Sequence, residues 1–231
     1  MKKDFQFKEG EVLLFNKPLH WTSFQLVNKV RWLVKRELHV KKIKVGHAGT
    51  LDPLANGLMI LCTGKKTKEI DQYQAAEKEY IATVKLGATT PSYDGETAEN
   101  YFYGTQHITQ DLVQEAVLSF LGDIQQYPPI FSAIKVGGKK LYESARKGQE
   151  VDIKPRSIQI KELEILDFNM PYIKLRVVCS KGTYIRSLAY DIGKALNSGA
   201  WLSKLQRTKI GEYSIENALD IQDFEEMMIS S

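Results

Sequence analysis

Gly46-His47-Ala48-Gly49-Thr50-Leu51-Asp52-Pro53-Leu54-Ala55-Asn56-Gly57 surrounds one carboxylate with three glycines and a proline, and the apolar run Leu58-Met59-Ile60-Leu61-Cys62 follows at once. Glycine permits backbone conformations and close approaches that a Cβ would block, and Pro53 restricts Asp52 to an extended or turn geometry. Asp52 is therefore expected on a shaped loop that runs into a buried strand, where scaffolds often carry reactive groups. The competing reading is that Asp-Pro simply makes a turn. Spacing alone favours that plainer reading and leaves both open.

Upstream, Val12-Leu13-Leu14-Phe15 reads as a strand ended by Asn16-Lys17-Pro18. Thr22 and Gln25 have capping-box spacing, and Phe24, Val27, Val30 and Val34 recur at helical intervals, which predicts a helix over about 23–35 with basic residues outside. Downstream, the strand ends at Thr63-Gly64, a short helix is expected over 67–75, and a strand over 80–87 puts Tyr80, Ala82, Val84 and Leu86 on one face. Residues 109–120 read as an amphipathic helix with Leu112, Ala116, Val117 and Phe120 inward. Residues 127–152 read as a projecting segment: a loop, a strand over 130–136, a tight turn at Gly137-Gly138 and a short helix. A hairpin is expected over 158–168 and 173–179, around Met170-Pro171. Lys181-Gly182-Thr183 then leads into a helix carrying Ile185, Leu188, Ala189, Ile192 and Leu196. The acidic tail suits a last helix that frays at Ile229-Ser230-Ser231. Strands and helices mix without a βαβ repeat, so the expected class is α+β around a largely antiparallel or mixed sheet.

The 231 residues suffice for one substantial core, and 43% hydrophobic with 26% charged residues is ordinary for a globular protein. No apolar run reaches membrane-spanning length, and the first residues lack a signal-peptide core. Two cysteines, Cys62 and Cys179, suit a reducing cytoplasm, where the chain is expected to reside. His20, His39, His47 and His107 show no metal-ligand spacing with them, so no metal site is expected. Gly64-Lys65-Lys66-Thr67 lacks the phosphate-loop spacing, no dinucleotide fingerprint is present, and no second carboxylate suggests a glycosidase. The net charge of +4 is uneven: residues 212–231 hold six acids and no Lys or Arg, which leaves +10 on residues 1–211. Residues 29–47 carry +6 and residues 135–147 carry +4. Such clusters are usually solvated faces, but flanking this loop they fit a polyanionic partner.

The twelve-residue loop closely resembles the catalytic loop of the tRNA pseudouridine-55 synthases, the TruB family of pseudouridine synthases; Ala48 and Asn56 stand where that family usually has hydroxyl residues. Three further pieces match in order. Lys78-Glu79-Tyr80 resembles the segment whose tyrosine lies against the target base. Cys179-Ser180-Lys181-Gly182-Thr183-Tyr184-Ile185-Arg186-Ser187-Leu188 resembles the one bearing the active-site arginine and a second tyrosine, and Leu205 falls where the family has an apolar residue beside the base. The resemblance runs from near Val12 to about Gly211. It implies the pseudouridine synthase fold, a large mixed sheet with flanking helices and a central cleft, as a single catalytic domain over 1–231 without the RNA-binding PUA domain of longer members.

It also implies an enzyme that isomerises the T-loop uridine at tRNA position 55, with Asp52, Tyr80 and Arg186 catalytic and His47, Tyr184, Leu205 and Lys17 around the substrate. Arg186 is expected to pair with Asp52, where otherwise it would read as a solvent-facing residue at a helix start. Whether Asp52 attacks as a nucleophile or acts as a base stays open. The expected partner is the tRNA T arm and T loop, gripped by residues 29–47 and 127–152, with no cofactor, membrane or obligatory protein partner. The alternative is a tRNA-binding or tRNA-folding protein that uses the same cleft without turnover.

Overall fold

The computed structural model describes residues 5–132, 135–136, 139–140 and 153–229. Its principal sheet has nine strands in mixed orientation, in the order β1-β3-β12-β4-β11-β10-β7, with β2 on β3 and β13 on β12. These are β1 (Val12–Lys17), β2 (Val45–His47), β3 (Ala55–Thr63), β4 (Lys78–Leu86), β7 (Gly122–Gln126), β10 (Arg156–Asn169), β11 (Tyr172–Cys179), β12 (Ala200–Ile210) and β13 (Tyr213–Ser214). Two small ribbons stand apart, β5 (Ala88–Thr89) with β6 (Tyr101–Phe102), and β8 (Lys135–Val136) with β9 (Lys139–Lys140). Five α-helices are described: α1 (Ser23–Glu37), α2 (Ile70–Ala75), α3 (Gln110–Leu118), α4 (Ile185–Ala195) and α5 (Ile221–Ile229). None of them is long and apolar enough to cross a membrane. The chain gathers into two compact units, one made of the residues up to Tyr80 with those from Leu205 on, the other of Ile81–Lys204.

In the first unit β3 is buried along nearly its whole length because it has neighbours on both edges: β1 and β2 antiparallel, and β12 parallel through Leu205–Ala55, Gln206–Asn56 and Arg207–Gly57. The predicted capping box at Thr22 is present, with Gln25 N donating to Thr22 Oγ1 and Thr22 N donating to Gln25 Oε1. It satisfies amides that the first helical turn leaves unpaired. Helix α1 buries Leu26, Val27, Val30, Leu33 and Val34, each worth roughly 1.5–3 kcal/mol of transfer free energy. The acidic tail does form a helix: Phe224 of α5 is fully buried against Phe15 (5.1 Å between ring centres) and Phe7. The ion pair Lys29–Glu225 at 2.6 Å adds little beside that, since both side chains are about 30% exposed. The helix expected over 67–75 divides into a 3₁₀ turn, Gly64–Glu69, and α2.

The second unit is built on the predicted hairpin, β10 with β11, whose Ile158, Ile160, Leu163, Ile173, Leu175, Val177 and Cys179 are buried. Its Met170–Pro171 peptide is cis. All five residues predicted to line the inner side of α4 are buried. In α3 the buried stripe is Val113, Ala116 and Val117, while Leu112 and Phe120 are only half-buried. Thr109 caps that helix, its hydroxyl accepting from Leu112 N. Residues 130–132 bend, and strand structure resumes only at β8. The predicted turn at 137–138 and the helix expected after it lie outside the described residues.

Candidate active site

The Asp52 loop joins β2 to β3 and belongs wholly to the first unit. Its peptides lie out of strand register, so their polar groups need partners elsewhere. Ala48 N donates to Ile60 O at 2.9 Å and Ala55 N to Asp52 O at 3.0 Å. His20 N reaches Pro53 O at 2.7 Å. Ser23, the first residue of α1, uses one hydroxyl twice: it accepts from Leu51 N at 2.9 Å and donates to Leu51 O at 3.0 Å. From β12, Arg207 donates through Nε to Leu58 O at 2.8 Å, through Nη2 to Gly49 O at 3.1 Å and, more loosely, through Nη1 to Thr50 O at 3.5 Å. Ala48 is fully buried with Leu58, Ile60, Cys62 and Ile210, which explains an apolar residue at a position where a hydroxyl was the family expectation.

Arg207 and Lys17 are buried cations of this unit whose charges bear on the loop. Arg207 is 1% exposed and Lys17 is not exposed at all. Lys17 Nζ donates to the carbonyls of Trp21 at 2.6 Å and Pro18 at 2.9 Å. Burial lowers the Lys17 pKa to about 8; the Asp52 charge opposes that shift and the Arg207 charge adds to it. Three charges therefore feel one another here: Asp52, Lys17 and Arg207. Burial also lowers the pKa of His47, with the Gly49 carbonyl opposing and Arg207 adding, so the imidazole is neutral at pH 7. Tyr80 is buried on β4, and Leu205, half-buried, pairs in register with Ala55, three residues past Asp52.

The other sequence-expected residues belong to the second unit. Arg186 sits in the first turn of α4 but is 5% exposed, not solvent-facing. Its Nη1 donates to Phe131 O at 2.9 Å and Ser92 O at 3.3 Å, and its Nε lies 3.6 Å from the carboxylate of Asp94, which is itself buried. The turn carrying Asp94 is tied down by Thr90 Oγ1 and Ser92 Oγ, both donating to Asp94 O, and by Glu96 N donating to Asp94 Oδ1. Within it Tyr93 adopts φ +63° and stacks on Tyr190 of α4 at 4.1 Å. Tyr184, just ahead of α4, is held by its main chain: its N donates to Gln126 Oε1 at 2.8 Å, and Gln126 Nε2 donates to its carbonyl at 3.1 Å.

Ser23, Arg207, Asp94 and Gln126 were not among the residues singled out from the sequence. Arg207 was hidden because the inward phase of β12 shifts between Leu202 and Arg207, so no period of two marks it as internal. Ser23 has the usual look of a helix-start residue, and Asp94 stands in ordinary turn composition.

The family described as "TruB family pseudouridylate synthase (N terminal domain)" matches residues 35–185, and "tRNA pseudouridylate synthase B C-terminal domain" matches residues 186–231. The chain is 59% identical over 222 residues to the tRNA pseudouridine synthase B of Phocaeicola vulgatus, covering 96% of this chain and 94% of that one. It is 55% identical over 224 residues to the enzyme of the same name from Flavobacterium johnsoniae, covering 96% and 98%. Among solved structures it is similar to a chain of a Cbf5-Nop10-Gar1 complex, with a TM-score of 0.70 and 28% identity. That match covers 95% of this chain and 54% of the solved one, so the chain spans about half the length of that structure.

Proposed function

The chain belongs to the TruB family of pseudouridylate synthases, and from that premise we propose that it converts one uridine in the T loop of tRNA, at position 55, to pseudouridine through Asp52. The observation that carries the reading is the Asp52 loop: a carboxylate on a main chain anchored on both sides, within the field of two buried cations. A carboxylate with a reference pKa of about 3.9 is ionised at neutral pH.

In this reading the uridine turns out of the RNA into the protein, at an unstacking cost of a few kcal/mol. Asp52 acts on the ribose as nucleophile or base while the bond from C1′ to N1 breaks. The uracil rotates, C1′ bonds to C5, the C5 proton leaves and N1 gains one, so atoms balance with no change of oxidation state. Tyr80 and Leu205 border the base, with the Tyr80 ring as a stacking platform. Arg186, its guanidinium direction set by Asp94, Ser92 and Phe131, supplies a positive charge of fixed direction to the reaction. Tyr184 meets the substrate beside Arg186. His47, neutral, meets the RNA loop around the turned-out nucleotide. Lys17, inside the protein, holds the Pro18 and Trp21 carbonyls and acts on the Asp52 charge instead of on phosphate.

The tRNA T arm is held largely by shape and backbone. Within residues 29–47 the cations divide in a way the sequence count could not reveal. Lys29 pairs with Glu225, Arg31 donates to Val45 O, and Arg36 lies over Trp32, whereas Lys41, Lys42 and Lys44 are exposed. Those three lysines are the proposed phosphate contacts. The test is incubation of the chain with unmodified tRNA and nucleotide-resolution mapping of pseudouridine. One modified site in the T loop is the expected result; tRNA that is bound but unmodified would favour a folding role instead.

A further inference from the structure

We propose that Ser23 and Arg207 form a clamp that sets the position of Asp52, making both of them positioning residues for the reaction. The inference rests on Asp52 being the group that acts on the ribose. Its physical basis is the accounting of main-chain partners on either side of that residue. Leu51, immediately before Asp52, is buried, and both of its polar backbone groups close onto the single Ser23 hydroxyl. Gly49 and Thr50 turn their carbonyls to one guanidinium, and the same guanidinium holds Leu58 in β3, so the two flanks of the loop share a fastening. Pro53, immediately after Asp52, contributes no N–H, and its carbonyl is taken by His20 N.

The reach of Arg207 depends on an unusual closeness of two strands. Gly57 has φ +112°, and a Cβ there would stand 2.3 Å from Arg207 O and 2.7 Å from Arg207 N. Only glycine lets β12 approach β3 at this point, and that approach places the guanidinium under the loop. Carbonyls alone do not require a charged partner. Among the described residues no carboxylate forms an ion pair with Arg207, so its burial carries a desolvation cost that the loop carbonyls only partly offset. A buried cation kept at such cost, adding its charge to the site of Asp52 and Lys17, fits a part that holds the loop and shapes its field together.

The test uses the full chain with Ser23→Ala and Arg207→Lys, read by single-turnover pseudouridine formation on tRNA, by RNA affinity, and by hydrogen exchange at the Leu51 amide. A displacement of the reacting group by about 1 Å can cost 100-fold, so each variant is expected to react roughly 10- to 100-fold more slowly, with RNA affinity within about twofold of wild type. Leu51 exchange should quicken in Ser23→Ala while Val27 and Val30 in the core of α1 stay protected. Unchanged Leu51 exchange in Ser23→Ala would overturn the clamp, and so would faster exchange with wild-type turnover. Ser23→Ala removes a single oxygen, so it carries the test if Arg207→Lys fails to fold. If the wild-type chain forms no pseudouridine, the functional reading fails instead, and the exchange measurement still decides whether the loop is fastened as described.

Discussion

Around Asp52 the protein directs its hydrogen bonds to the main chain: a serine hydroxyl, a guanidinium and two backbone amides hold the peptides of residues 49–53. Around Arg186 it directs them to the side chain itself, with Phe131 O and Ser92 O accepting from the guanidinium, and the Asp94 carboxylate adds an ion pair 3.6 Å from its Nε. Fixing peptides sets where a side chain begins, whereas gripping a guanidinium sets where it ends. Under the proposed function, the first method fixes the main chain from which the reacting carboxylate projects. The second suits a group whose work is to present a fixed charge in a fixed direction.

The largest disturbance to the first region should come from Gly57→Ala. The added methyl meets Arg207 backbone at 2.3 Å and the backbone is already at positive φ, so a loss of about 4 kcal/mol in urea unfolding is expected. A wild-type denaturation midpoint would mean that β3 and β12 are not forced together there. Arg186→Lys strikes the second region. A point charge cannot reproduce a planar fork, and turnover should drop about 100-fold, equal to roughly 2.7 kcal/mol, with RNA affinity little changed. Near-normal turnover would remove the contrast between the two regions.

Lys17→Met gives the smallest effect and the clearest sign. The folded protein lowers the Lys17 pKa from 10.5 to about 8, so between those values the unfolded chain binds more protons and the wild-type fold gains stability as pH rises. That gain is absent in the methionine variant. Wild-type stability relative to Lys17→Met should therefore improve by roughly 2 kcal/mol from pH 7.5 to pH 10.5, short of the full linkage value because a buried site relaxes. A pH-independent difference would show that the Lys17 ammonium is not desolvated.

Much of the scaffold was legible in the residues. The Thr22 capping box, the hairpin around Met170-Pro171 and the five inward positions of α4 each follow a local rule that the fold obeys. The aspartate loop was legible because glycine and proline mark unusual backbone directly. What fastens the loop was not. Ser23 and Arg207 lie 28 and 156 positions from Leu51 in the chain, and no local pattern links them to it. Asp94 was missed for a similar reason, since its meaning depends on a guanidinium 92 residues later. The basic count over residues 29–47 was correct as composition, yet it could not separate Lys29, which faces the acidic helix α5, from the exposed lysines 41, 42 and 44.

The most direct test of the account is Asp52→Asn, assayed with wild type for pseudouridine formation on unmodified tRNA and for tRNA binding. The substitution keeps the loop and its fastening and removes only the charge. The account predicts a fall in product of about a thousandfold or more with tRNA binding retained, since loss of a reacting group removes transition-state stabilisation and not uniform binding. Product at the wild-type rate from Asp52→Asn would contradict it.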